Sequence, residues 1–227
     1  MSRASFDPVW PELYGSGRQL NRYPWDAVVR FVHANRPPDR AAADVGVVEV
    51  GCGAGANLWF AAREGFAVAG IDGSESAIAY AQQRFDDDDL AGDLRVGDFT
   101  ELPWPDGTFD LAIDRAALTC CGRTAAGRAV AELHRVLRPG GRLLFTPYSD
   151  RHPSAGAGRP GEDGVRSGID AGALVGVGQI CFYSRDDIDR LLDGWRLLAV
   201  EHHDVSDELD TAAAPLRGHW HVVAERA

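Results

Sequence analysis

Residues 47–72 read VVEVGCGAGANLWFAAREGFAVAGID, and the fold is decided there. A mostly apolar run, Val45 to Val50, ends in Gly51-Cys52-Gly53-Ala54-Gly55. An apolar run bounded by glycines suits a buried parallel strand. Glycines at every second position let the chain turn tightly and approach a ligand closely. Leu58, Ala61 and Ala62 then follow helical spacing, and a second apolar run, Ala67 to Ile71, ends on Asp72. The order is strand, glycine loop, helix, strand, carboxylate. A carboxylate in that place can accept both hydroxyls of a ribose, and a glycine loop at a helix N-terminus suits the polar part of a nucleoside ligand.

Two ligands fit this frame. Gly51-x-Gly53-x-x-Ala56 matches a relaxed dinucleotide fingerprint, which makes a nicotinamide-dependent oxidoreductase the competing expectation. Glu49 opposes it, because a carboxylate two residues before the first glycine would repel a pyrophosphate. The same carboxylate would attract an ammonium. That favours a nucleoside carrying an amino acid, as S-adenosyl-L-methionine does.

The motif Glu49-Val50-Gly51-Cys52-Gly53-Ala54-Gly55 resembles the first motif of the class I S-adenosylmethionine-dependent methyltransferases, with Asp72 in the place of their ribose-binding acid. The similarity runs from about Val45 to Phe145. Gly97-Asp98-Phe99 resembles the adenine site of that family, where a carboxylate accepts from the exocyclic amine. Leu102-Pro103, Asp106-Gly107-x-Phe109-Asp110 and Leu133-x-Arg135-Val136-Leu137-Arg138-Pro139-Gly140-Gly141 are also typical of it. Asp114-Arg115-Ala116-Ala117-Leu118 is similar to the Asp-Arg-Gly-Ala-Leu of thiopurine methyltransferases, with Ala116 in place of the glycine. The Asn/Asp-Pro-Pro-Tyr pattern that serves planar amides and nucleobase amines is absent, so those acceptors are disfavoured.

The resemblance implies an α/β, three-layer Rossmann-like fold with a seven-stranded, mostly parallel sheet whose last strand is antiparallel. It implies S-adenosyl-L-methionine as cofactor, held by Glu49, Gly51, Cys52, Gly53, Gly55, Asp72, Gly73, Ser74, Asp98, Phe99, Asp114 and Arg115. Transfer would be a direct in-line displacement to an O, N or S nucleophile of a small molecule. Asp114, His152 and Tyr148 are the candidates for catalysis; Tyr14, Arg18, Asn21, Arg115 and Tyr148 are those for the acceptor. A cofactor-binding member of the fold without methyl transfer is the other alternative, since fold does not fix function.

At 227 residues the chain is long enough for one domain with its own core. Residues 1–44 read as a leader with a helix from Pro24 to Asn35, stopped by Pro37-Pro38. Residues 45–227 read as a single domain, with a glycine-rich insertion at about 149–179 that a compact domain rarely carries without a role. A net charge of −11 argues against a nucleic-acid surface. No apolar run approaches a membrane span, and the first residues lack the continuous apolar stretch of a signal peptide. All 23 basic residues are arginine, which removes Schiff-base chemistry. Cys52, Cys120, Cys121 and Cys181 have no C-x-x-C spacing and read as reduced thiols of a cytoplasmic protein. A homodimer is compatible with this composition.

Two helices carry explicit start signals, Ser74 and the capping-box spacing at Ser184. A helix expected from Thr124 to Arg138 is stopped by Arg138-Pro139-Gly140-Gly141 before a strand at Arg142. Two final strands, about Trp195–Asp204 and Gly218–Glu225, hold His202, His203, His219 and His221. His219 and His221 share a strand face, where zinc is conceivable. No carboxylate or cysteine stands at ligand spacing, so they read as ordinary strand histidines and no metal is expected.

Overall fold

The computed structural model describes residues 7, 9–17, 19–209 and 216–227. Strands β1 (Gly46–Val50), β2 (Ala67–Asp72), β3 (Asp93–Val96), β4 (Phe109–Asp114) and β5 (Leu137–Phe145) run parallel. The sheet is completed by two long strands numbered below as β9 (Trp195–Val205) and β10 (Arg217–Arg226), after three short ones, β6 to β8, in the insertion. Its spatial order is β3-β2-β1-β4-β5-β10-β9. β10 alone runs opposite to the other six strands. The seven strands and the antiparallel last one are those expected.

The first helices are α1 (Val9–Gly15), α2 (Asp26–Asn35), α3 (Ala56–Arg63) and α4 (Glu75–Asp87), followed by α5 (Arg123–Val136) and α6 (Arg185–Leu191). Strand alternation sorts them into layers. Val47, Leu111 and Ile113 pack with Val28, Phe31, Leu58, Ala61, Ile78 and Phe85 of α2, α3 and α4. Val48, Val50 and Ala112 face the other way, onto Ala126, Ala129, Val130, Leu133 and Ile188 of α5 and α6. Fully burying one such aliphatic side chain is worth about 1.5–3 kcal/mol. Both faces of β1 are therefore covered, and ligands can be approached only at the carboxyl ends of the strands.

The expected caps are present. Ser74 Oγ accepts from the Ala77 N–H. Ser184 and Asp187 form a reciprocal capping box. The end of α5 differs from expectation. It stops at Val136, and buried Leu137 already pairs with Phe109, so the Pro139–Gly141 turn lies inside β5 as an irregularity. The residue before a proline avoids the helical region, and Leu137 gains a core position by leaving the helix first. Arg138 then reaches back to the buried Asp110 carboxylate, which also accepts from Arg40 and from the Gly46 N–H. Two phrases read separately in the sequence thus close one contact.

The insertion is more structured than its composition suggests. β6 (Arg159–Pro160), β7 (Val165–Ser167) and β8 (Ile180–Cys181) form a small antiparallel sheet. Ile169, Leu174, Ile180 and Phe182 give it a core of its own. Its end is tied to the leader, where the Gln179 N–H donates to Asp7 Oδ2. Among the described residues no helix is long and apolar enough to cross a membrane.

Candidate active site

Two cavities open at the carboxyl ends of β1, β2 and β4, and Trp25, Arg115 and Tyr148 line both. The first, about 250 Å³, is walled by the glycine loop, Asp72, Gly73, Phe99 and Ala116-Ala117, under a roof of Trp10, Tyr14, Gln19 and Asn21. The second, about 610 Å³, lies against α2 and β10.

The glycine loop is built as its spacing implies. Gly51, Gly53 and Gly55 all have positive φ, at 60°, 52° and 71°. At Gly53 a Cβ would also overlap the Tyr14 hydroxyl, which stands directly over the loop. Asp72 is anchored through one hydrogen bond to each oxygen: the Gly53 N–H donates to Oδ2 and the Ser74 N–H to Oδ1, both at 2.9 Å. A carboxylate oxygen has two lone-pair sites, so each oxygen keeps one for a ligand hydroxyl. Burial raises the acid above the usual carboxylate range, against the pull of those two N–H groups.

Glu49 is 2% exposed. The Asn57 amide donates to Oε1 at 2.7 Å, and Oε2 has no hydrogen-bond partner. Burial pushes the acid up to about 8. A buried acceptor without a partner, in the wall of a cavity, calls for a donor from a ligand. Asn57 was not singled out in the sequence, yet it joins two parts of the site, because its Oδ1 accepts from the Trp25 N–H at 3.0 Å. Its only signal is a polar residue in the first turn of α3.

The other candidates divide. Cys52 and Phe99 line the first cavity and are buried. Asp98 is half-buried, and its Oδ1 accepts from the Thr100 N–H and hydroxyl in a turn. Gly55 and Ser74 do not line the cavity; they shape the loop and the start of α4. Tyr14 and Asn21 do line it, whereas Arg18 lies outside the described residues. Gln19, in a left-handed conformation, was not anticipated.

Asp114 lines neither cavity. It is fully buried, and its Oδ1 accepts from the N–H groups of Ala117 and Leu118. It therefore holds the turn that presents Arg115. Ala116 in that turn has φ +58°, a conformation that glycine adopts without strain. The Arg115 guanidinium lies over the Trp25 ring at 3.6 Å.

The second cavity collects polar groups from distant parts of the chain: Arg30, Arg115, Tyr148, His152, Arg217 and a histidine cluster. Among the described residues none of the three arginines forms an ion pair, whereas Arg123, Arg135, Arg138 and Arg142 are all paired with carboxylates. His152 is 3% exposed, and burial lowers its pKa. Its Nδ1 accepts from the Ser154 N–H, so the proton of the neutral ring is on Nε2. His203 of β9 faces His219 across the ladder, and His221 shares their face. Burial, the other histidines and nearby arginines push His219 and His221 down to about 4.

Residues 48–145 match the family model of a methyltransferase domain. Over 135 residues the chain is 32% identical to a malonyl-[acyl-carrier protein] O-methyltransferase of Pseudescherichia vulneris, covering 60% of this chain and 49% of that one. Over 112 residues it is 32% identical to a probable S-adenosylmethionine-dependent methyltransferase of Mycolicibacterium smegmatis, covering 46% and 41%. The chain spans half or less of the length of these relatives. A solved S-adenosylmethionine-dependent methyltransferase from Mesorhizobium loti superposes with a TM-score of 0.67 over 88% of this chain and 98% of its own, at 23% identity. The fold and the cofactor motifs are those of the class I S-adenosylmethionine-dependent methyltransferases, and residues 48–145 form a methyltransferase domain. S-adenosylmethionine is the cofactor of that class, and the free Glu49 oxygen, the Asp72 lone pairs and the glycine cradle fit it.

Proposed function

We propose that the protein transfers the methyl group of S-adenosylmethionine to a small, negatively charged acceptor held in the second cavity. The observation that carries this reading is the pair of adjoining cavities, one lined by the cofactor motifs and the other by arginines without carboxylate partners. In a chain of net charge −11 such a basic chamber needs an explanation, and an anionic ligand provides one.

Each residue then has a task. Asp72 accepts the two ribose hydroxyls. Glu49, already oriented by Asn57, takes the ammonium of the methionine part. Phe99 covers the base, with Asp98 beside it. The bound sulfonium supplies an electrophilic methyl group, so the protein's main work is alignment, which can contribute about 7–11 kcal/mol of the barrier. Trp25, Arg115 and Tyr148 stand between the chambers and orient the acceptor toward the methyl carbon for an in-line attack.

Neither His152 nor Asp114 is suited to remove a proton. His152 presents Nε2–H, a donor, and Asp114 is fully buried, lines neither cavity and is committed through Oδ1 to the Ala117 and Leu118 N–H groups. His152 instead hydrogen-bonds an acceptor oxygen. This favours an acceptor that is anionic before reaction, such as a carboxylate, and a relative named for O-methylation of a malonyl group supports oxygen as the methylated atom. The four free cysteines fit a cytoplasmic setting.

The test is calorimetric titration with S-adenosylhomocysteine and NAD, repeated on Asp72→Ala, followed by a transfer screen of matched anionic and neutral acceptors. Micromolar binding of the adenosyl ligand, lost in the variant, with turnover of anionic acceptors, is expected. Binding of NAD alone, or turnover of neutral acceptors only, would overturn the reading.

A further inference from the structure

We propose that His203, His219 and His221 bind a divalent transition-metal ion, zinc being the best match, in the wall of the second cavity. The argument begins with register. His219 pairs directly with His203 in the β9–β10 ladder, and His221 lies two residues on, on the same face of β10. One ligand atom from each ring lies within 4.8 Å of the other two. The ring centroids are 4.0 Å apart for His203 and His221, 4.8 Å for His219 and His221, and 5.6 Å for His203 and His219. Zinc–imidazole bonds are about 2.0–2.1 Å, so small rotations of three half-buried rings on a rigid ladder close the set.

Three imidazoles are the ligand type that zinc and its neighbours prefer, and three protein ligands leave a coordination position open, as in catalytic rather than structural zinc sites. That position faces a cavity that adjoins the cofactor chamber. Glu201 stands opposite His221 and lies 2.9 Å from His203 Nε2, the carboxylate contact that orients a ligand ring and raises its basicity. The surrounding charges are Arg30, Arg115 and Arg217 against Asp26 and Glu201. The arginines weaken the hold on a bare dication and favour an anion at the open position. An acceptor oxygen would be that anion, which rests on the methyl-transfer reading; metal binding itself does not. Spacing along one strand pairs only His219 and His221; His203 joins them across the sheet, through the β9–β10 register.

The test uses the full chain purified without a polyhistidine tag and stripped with chelator. Titration with Zn²⁺ is followed by calorimetry, and titration with Co²⁺ by its visible d–d absorption. One saturable site per chain with a tetrahedral Co²⁺ spectrum is expected. Its affinity should fall by about 100-fold or more in His219→Ala/His221→Ala, and by less in the milder His203→Gln. His134→Ala, on α5, serves as the control and should bind as the wild type does. Absence of a saturable site in the wild type would overturn the proposal. So would unchanged affinity in the double variant, or equal loss in the control. S-adenosylhomocysteine binding is measured in parallel on each variant. Its retention in the double variant verifies the fold, and its absence in the wild type would sink the methyltransferase reading while leaving the metal result to stand or fall alone.

Discussion

Glu49→Gln is the most informative perturbation, because it keeps the shape of the side chain and removes only its charge. In the ligand-free protein burial holds Glu49 protonated up to about pH 8, far above its ordinary value of 4.5. A raised folded pKa contributes stability that is complete below about pH 4.5 and is lost as pH rises through about 8. At about 1.36 kcal/mol per pKa unit, the wild type forfeits up to roughly 5 kcal/mol across that window through this group. Glu49→Gln forfeits none, so the variant should gain on the wild type in thermal unfolding as pH rises from 5 to 9, at roughly 2–4 °C per kcal/mol for a chain of this size.

Cofactor binding reverses the sign. A ligand ammonium beside Glu49 requires the carboxylate, so at pH 7 about nine-tenths of a proton leaves per ligand bound. Calorimetry with S-adenosylhomocysteine in buffers of different ionisation enthalpy reads that number directly. A charge-assisted hydrogen bond is worth about 1.5–3 kcal/mol, so the variant should bind roughly 10–150-fold more weakly and release no proton. Equal affinity in the two proteins, or equal proton release, would refute the assignment of Glu49 to the ammonium.

Gly53→Ala should abolish adenosyl-ligand binding with little loss of helix content by circular dichroism, since the new Cβ meets the Tyr14 hydroxyl in a left-handed turn. Ala116→Gly should stabilise the protein by about 0.5–1 kcal/mol in urea unfolding, relief of its left-handed strain exceeding the entropy glycine adds to the unfolded chain. Asp110→Asn should cost about 1–3 kcal/mol in the same assay. It uncouples Arg40 and Arg138, both partly exposed and so less costly to leave unpaired than fully buried ions. Arg217→Gln should raise KM for anionic acceptors about 10-fold, leave kcat nearly unchanged and leave S-adenosylhomocysteine affinity intact, as Arg217 lines only the second cavity.

Much of the fold was legible because its signals are local. The apolar run of β1, the glycines of the loop, Asp72 at the end of β2 and the Ser74 and Ser184 caps each act on chain within a few residues. The capping hydrogen bonds and the positive φ values of Gly51, Gly53 and Gly55 follow from residue type and local spacing. The end of α5 was misplaced because Leu137 is claimed by the core and by Phe109 of β4, a partner 28 positions earlier in the chain.

The cofactor motifs were thus determined by sequence, as was the order of strands and helices that presents them. Tertiary structure alone decided the rest of the site. It turned Asp114 inward to brace the Arg115 turn, although its position at a strand end suggested a reactive acid. It drew Asn57 between Glu49 and the Trp25 backbone, gave the glycine-rich insertion a core and a tie to Asp7, and brought His203 opposite His219. The physical reason is range. Backbone conformation and capping depend on neighbours along the chain, whereas burial, pKa and the meeting of Arg30, Arg115, Arg217 and three histidines in one cavity depend on which faces the sheet and its layers bring together.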